Sequence, residues 1–261
     1  MYFDFGKDGF FTSSPNTLYS ISVDYKGELV EEKIDINVDI PSTDPHINNE
    51  REDAEVKKAS VHIDPIKLDK IFDNKATSYK YFWFMAIISL AKEKKSLTIP
   101  YKDIIVRMAS MAWPIVFEYK IDLGKNDMIA NYLNDIIKRT DLPQAVSSKV
   151  VEAYLSAYYD SDGIGKILGP LLKNVPYRFL SPWIPYTTDD EVIEKSNSGE
   201  YACLYALRED CIEINTEWWD FIKKRILILS DYTKRSFVSY LQTKNGQWKI
   251  KKFMAAGWSL V

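Results

Sequence analysis

Few residues in this chain combine the types and spacing that chemistry needs. Glu118-Tyr119-Lys120 and Glu55-Val56-Lys57 are E-x-K triplets. In one nuclease class such a triplet, with an upstream aspartate, holds a divalent cation while the lysine orients the attacking water. Asp103 is the candidate upstream acid for Glu118, although it falls in a helical pattern and E-x-K recurs by chance in charged chains. Gly163-Ile164-Gly165-Lys166 is a fragment of a phosphate loop. Ile167 stands where Ser or Thr must follow the lysine, so the segment reads as a glycine-bearing helix start. Histidines number two, His46 and His62, and a hydrolase triad needs one as its base. His46 sits in a polar stretch, and His62 alternates with Val61 and Ile63 as a residue at a core edge does. Cys203 and Cys211 have neither metal-ligand spacing nor a histidine pair, and read as reduced thiols in a cytoplasmic protein. No catalytic residue, metal site or cofactor is expected. A metal-dependent nuclease built on Asp103, Glu118 and Lys120 is the alternative.

What remains is a surface of charge and rings. Residues 1–60 carry six basic and thirteen acidic side chains, whereas residues 201–261 carry ten basic and six acidic ones. The basic end holds Lys223, Lys224, Arg225, Lys234, Arg235, Lys244, Lys249, Lys251 and Lys252, interleaved with Trp218, Trp219, Tyr232, Phe237, Tyr240 and Trp248. That mixture suits nucleic acid, because cations neutralise phosphates and rings stack on bases. It also suits two amphipathic helices with solvated lysines. Aromatic residues make up 14% of the chain, so most rings are expected in the core. Arg178, in the aromatic and proline-rich run Val175–Ile184, is expected in a packed loop with a buried ion pair.

The elements that must position these groups can be read from periodicity. Tyr19, Ile21, Val23 and Tyr25 share one face, and Ile34, Ile36, Val38 and Ile40 share another, with Lys26-Gly27 between them. This is the period of two expected of a β-hairpin. Ile34, Ile36 and Val38 form a face too apolar for water, so a partner or the rest of the chain is expected to cover it. Residues 41–60, with two prolines and many charges, read as a linker. From residue 61 the helical period takes over. A short helix begins at Asp64-Pro65, and a nearly all-apolar helix begins after a Thr77 or Ser78 cap. A third starts near Pro100 and is expected to end or kink at Trp113-Pro114. Helices follow over 126–139 and 143–158, and another runs from an Asp162 cap to Lys173. A small hairpin covers 201–214. Thr216 then caps a helix to Leu229, and a last helix spans Asp231 to Lys244. The prediction is a mainly α protein: a multi-helix body over 61–261, an amino-terminal hairpin arm over 1–40 and a short late hairpin. The longest apolar run, Tyr81–Ala91, is too short to span a membrane, and Met1–Phe10 does not read as a signal peptide.

Four blocks together carry a resemblance. They are SYKYFWFMAIISL, PYKDIIVRMASMAWPIVFEYKIDLGKNDMI, VPYRFLSPWI and SFVSYLQTKN. In this order, over residues 61–245, they resemble the amino-terminal region of bacterial HNH-endonuclease-domain proteins. In that family an HNH module follows the last block. Here sixteen residues follow Asn245, so the module is expected to be missing and no catalytic residue carries over. The resemblance implies a non-catalytic DNA-binding or adaptor subunit of a bacterial defence system against phage and mobile elements. ATPase or nuclease activity would then reside on partner subunits.

Overall fold

The computed structural model describes residues 64–93, 96–161 and 163–255, and places three strands in the amino-terminal region. The chain divides into two compact units, Met1–Lys57 and Lys58–Val261. In the first unit the expected hairpin is present as β2 (Thr17–Val23) and β3 (Leu29–Asp35), paired antiparallel with Leu18 opposite Ile34. A strand that periodicity missed, β1 (Phe10–Ser14), pairs with β2 and makes a three-stranded sheet. Its run of Phe, Thr and Ser lacks the alternation that marked the other two. Ile36, Val38, Glu55-Val56-Lys57, His46 and His62 lie outside the described residues.

The second unit is mainly helical. After α1 (Ile66–Asp69) and a 3₁₀ turn to Phe72, α2 (Tyr79–Glu93) forms its centre. Every residue from Tyr81 to Ala91 is buried, as the all-round apolar pattern requires. β4 (Thr98–Pro100) leads into α3 (Tyr101–Phe117), which is buried along most of its length. Then come α4 (Ile129–Arg139), α5 (Ser148–Ala157), α6 (Ile164–Leu168), α7 (Val175–Phe179) and α8 (Asp189–Asn197). The late hairpin is β5 (Tyr205–Leu207) with β6 (Cys211–Ile214), and β4 completes its sheet in the order β4-β6-β5. The carboxy-terminal helices are α9 (Thr216–Lys224), α10 (Ile226–Gln242) and α11 (Gln247–Ala255). Helix α2 packs against α3, α7, α9 and α10, while α3 packs against α4, α5 and α6.

Rings fill this core. Phe72 stacks on Tyr81 at 4.6 Å, Tyr81 meets Tyr240 at 5.3 Å, and Phe82 meets Phe237 edge-on at 5.1 Å. Some buried rings have their polar ends satisfied, as burial favours, whereas the Tyr81 hydroxyl and the Trp183 Nε1 have no hydrogen-bond partner among the described residues. Trp83 donates through Nε1 to the Tyr205 hydroxyl, which donates to the Pro176 carbonyl. One relay therefore joins α2, β5 and α7.

Several boundaries differ from the sequence prediction. Helix α3 continues past Pro114 to Phe117. Proline removes one amide donor near the end of the helix. Burial of Trp113, Ile115 and Phe117, with Trp113 Nε1 donating to the Gln144 carbonyl at 3.0 Å, outweighs that loss. The break between the last long helices falls at Arg225, which leaves helical geometry at φ −127°, rather than near Ser230. Asn215, not Thr216, caps α9, its side chain accepting from the Glu217 amide. Gly163, with φ +68°, takes the cap position before α6 that was assigned to Asp162. Val175–Phe179 is a short helix, and Arg178 is exposed with its guanidinium over the Tyr186 ring rather than in a buried ion pair.

Ser78 precedes α2 as expected, but its hydroxyl serves a different purpose. Asp127 accepts from the Ser78 amide and hydroxyl through Oδ2, and from the Ile129 amide through Oδ1. This carboxylate ties the start of α2 to the start of α4. Burial holds its pKa above the ordinary 3.8, against the opposing pull of those hydrogen bonds. A raised carboxyl pKa means the folded chain binds the proton more readily than the unfolded one. Its contribution to stability is therefore greatest below 3.8 and is lost as pH rises through the shifted value. Asp127→Asn is expected to gain in melting temperature relative to wild type as pH is raised from about 4 to about 7. A difference that stays constant over that range would refute the assignment.

Candidate nucleic-acid interface

The predicted cations are distributed over and beside α9, α10 and α11. On α9 and at its end, the Lys223 amine lies 4.9 Å from the Trp219 ring centre and the Arg225 guanidinium 4.5 Å from that of Phe221. These half-buried cations thus border half-buried rings, at separations where cation–π attraction operates. Lys224 is exposed beside them. On α10, Lys234 is half-buried, and Arg235 pairs with Asp231 at 2.7 Å, one helical turn away. Lys244 is exposed, with its amine 5.6 Å from the Tyr240 ring centre.

A second group gathers around α11. Beyond the last helix read from the sequence, the chain forms a further helix after Gly246 with Ile250 and Phe253 buried. Trp248, Lys249, Lys252 and Phe253 lie on one side of it and face the turn that follows α3. Together with Glu118, Tyr119 and Lys120 they line a cleft of about 240 Å³. Lys251 is exposed on α11 outside the cleft.

The turn is held from several directions. Glu118 and Tyr119 both donate their amides to the Pro114 carbonyl, closing α3. The Asn245 side chain accepts from the Asp122 amide at 2.9 Å and donates to the Asp122 carbonyl at 2.8 Å. The Tyr240 hydroxyl donates to the Leu123 carbonyl. Gly124, at φ +105°, lets the backbone pass so close to Tyr240 that an added Cβ would sit 3.0 Å from the hydroxyl. Tyr119 meets Phe253 edge-on at 5.2 Å and forms the apolar floor. Burial, and then the neighbouring Glu118 carboxylate, push the Tyr119 hydroxyl pKa up, so it stays protonated. Lys120 adopts φ +53°, a left-handed conformation that favours glycine.

The metal-site alternative fails on geometry. Asp103 lies in the first turn of α3 and Glu118 just beyond its last residue. At about 1.5 Å of rise per residue they stand ~22 Å apart, too far to share a cation whose oxygen ligands lie about 2–2.6 Å away. Among the described residues no group of three or more His, Cys, Asp or Glu side chains gathers to hold a metal. Gly163–Lys166 is a helix start, and an added Cβ at Gly165 would meet the Tyr159 ring at 2.8 Å. Cys203 is a buried free thiol whose pKa burial pushes up to about 11. Among the described residues no helix is long and apolar enough to cross a membrane.

Sequence reasoning found Lys249, Lys252 and Trp248, but cast Lys120 in a metal role and did not place it with them. No local signal joins Lys120 to α11. Arg107, buried among Ser89, Glu93 and Glu152, was also missed, since a lone arginine in an apolar helix has no pattern to mark it. No protein family, curated protein or solved structure matches the chain.

Proposed function

We propose that the chain is a non-catalytic DNA-binding adaptor, with DNA held at its carboxy-terminal helices α9–α11. The observation that supports this is the pairing of cations with half-buried or exposed rings at two places, α9 and α11. They are Lys223, Lys224 and Arg225 beside Trp219 and Phe221, and Lys249 and Lys252 beside Trp248. Phosphates need the cations, and bases or sugars use the rings. Its place in a bacterial defence assembly, with ATPase or nuclease subunits as partners and in the cytoplasm, rests on the four resembling blocks. Ile34, Ile36 and Val38 would serve such a protein partner.

Binding is expected to be weakly sequence-dependent and to fall with salt, at a slope of about −0.9 per phosphate neutralised. The double reversal Lys224→Glu with Lys244→Glu is expected to make that slope shallower by about 2, one for each lysine removed. Both residues are exposed, so the melting temperature should hold. Fluorescence anisotropy over a salt series checks this. Failure of wild type to bind any DNA at low salt would overturn the DNA reading and leave a protein adaptor.

A further inference from the structure

We propose that the cleft between the turn after α3 and helix α11 seats one unpaired nucleotide of a single-stranded nucleic acid. Its base would stack on Trp248, and its phosphates would meet Lys120, Lys249 and Lys252. This deepens the DNA-binding reading and rests on it.

The tryptophan carries the first part of the argument. Trp83, Trp113 and Trp218 are fully buried and Trp183 is 4% exposed, whereas Trp248 is 72% exposed. Such a ring left in water at the mouth of a lined cleft has a large flat face free to stack. Every base offers a π-face, so stacking on it is tolerant of sequence. A duplex keeps its bases stacked on each other and presents mainly phosphate, sugar and groove edges. Lysines alone would serve that ligand, and the indole would have nothing to cover it.

The lysines carry the second part. Three lysines from two separate elements line one cleft, against Glu118 as its one acidic residue. None of the three is ion-paired among the described residues. Lys120 adds an independent sign. It occupies a left-handed backbone position at φ +53°, where glycine would be unstrained. Strain of this kind in a turn pinned by Asn245 and Tyr240 points to a side chain kept for what it binds. Size narrows the ligand further. At about 240 Å³ the cleft is smaller than the ~300–1,000 Å³ pockets that engulf a whole cofactor or drug-sized molecule. A base lying against Trp248, with the rest of its strand in solvent, fits that scale.

The test measures anisotropy of the full chain with labelled oligo-dT and oligo-rU of about 12 nucleotides, and with a duplex of the same length. Wild type is expected to bind both single strands at least about tenfold more tightly than the duplex. Trp248→Ala is expected to weaken single-strand binding by about 5- to 150-fold, while Trp248→Phe keeps most of it and duplex binding is unchanged. Lys120→Gly is expected to lower single-strand affinity while the melting temperature stays level or rises, because the strained backbone is relieved. Equal affinity for duplex and single strands, with Trp248→Ala silent on both, would overturn the nucleotide seat and leave general DNA binding standing. No binding to any of the three probes would overturn both. A Lys120→Gly variant that binds normally would remove that lysine's role and, with it, the strain argument.

Discussion

Phe84→Ala is expected to lower the unfolding free energy by about 3–5 kcal/mol. Phe84 has no solvent exposure and lies in the middle of α2. Its ring centre stands 5.5 Å from that of Phe179 on α7 and 6.3 Å from that of Phe72 before α2. Truncation therefore opens a cavity lined by rings that cannot collapse inward without disturbing three elements. Urea unfolding should show a lower midpoint with an unchanged slope. Leu227→Ala makes the comparison, since Leu227 is 77% exposed and its loss is expected to cost under about 0.5 kcal/mol. A loss below about 1 kcal/mol for Phe84→Ala would remove α2 from the centre of the core.

The second large effect is expected at Arg107. Its guanidinium donates through one terminal nitrogen to Ser89 Oγ and to Glu93 Oε1 at 2.9 Å. The other nitrogen reaches Glu93 Oε2 and Glu152 Oε1, each at 2.7 Å. The residue is 8% exposed and joins α2, α3 and α5. Removing one member of a buried charge cluster costs about 3–5 kcal/mol. Here the lower end applies, about 3 kcal/mol for Arg107→Ala, because the Glu93 side chain is 54% exposed and can rehydrate. Arg107→Lys should recover little, since one ammonium cannot reproduce a fork that spans both carboxylates. The exposed pair Lys138–Asp135 at 2.8 Å provides the contrast, with about 0.5 kcal/mol or less expected on breaking it. If Arg107→Ala proved as mild as breaking that surface pair, the cluster would be electrostatic decoration rather than a tie between helices.

How much of this was legible beforehand follows from the range of each signal. The nearly all-apolar run Tyr81–Leu90 was expected to be a buried helix, and α2 is one. Alternation in 17–40 and 201–214 predicted the two hairpins, and both pairs of strands are present. Each hairpin nevertheless gained a third strand, β1 in one sheet and β4 in the other. Thr98–Pro100 is too short for a period of two to register, and it is a strand only because β6 pairs with it. Local propensity also stopped α3 at Pro114 and split the last long helices near Ser230. Packing overrode it in the first case, through burial of Trp113, Ile115 and Phe117. In the second, Ile226 packs against the core and Leu229 is buried in it, so the break moved back to Arg225.

Composition and period, by themselves, determined the mainly α class, the aromatic core and the basic aromatic character of the carboxy-terminal end. These depend on which residues are present and how they recur along a few turns, and that information is local. Which cations meet was decided only by the tertiary structure. Packing set Lys120 beside Lys249 and Lys252, left Lys251 outside the cleft, and parted Asp103 from Glu118 by the length of a helix. Proximity between residues far apart in the chain is fixed by tertiary contacts, such as Tyr119 on Phe253 and Asn245 on Asp122, that no linear pattern encodes.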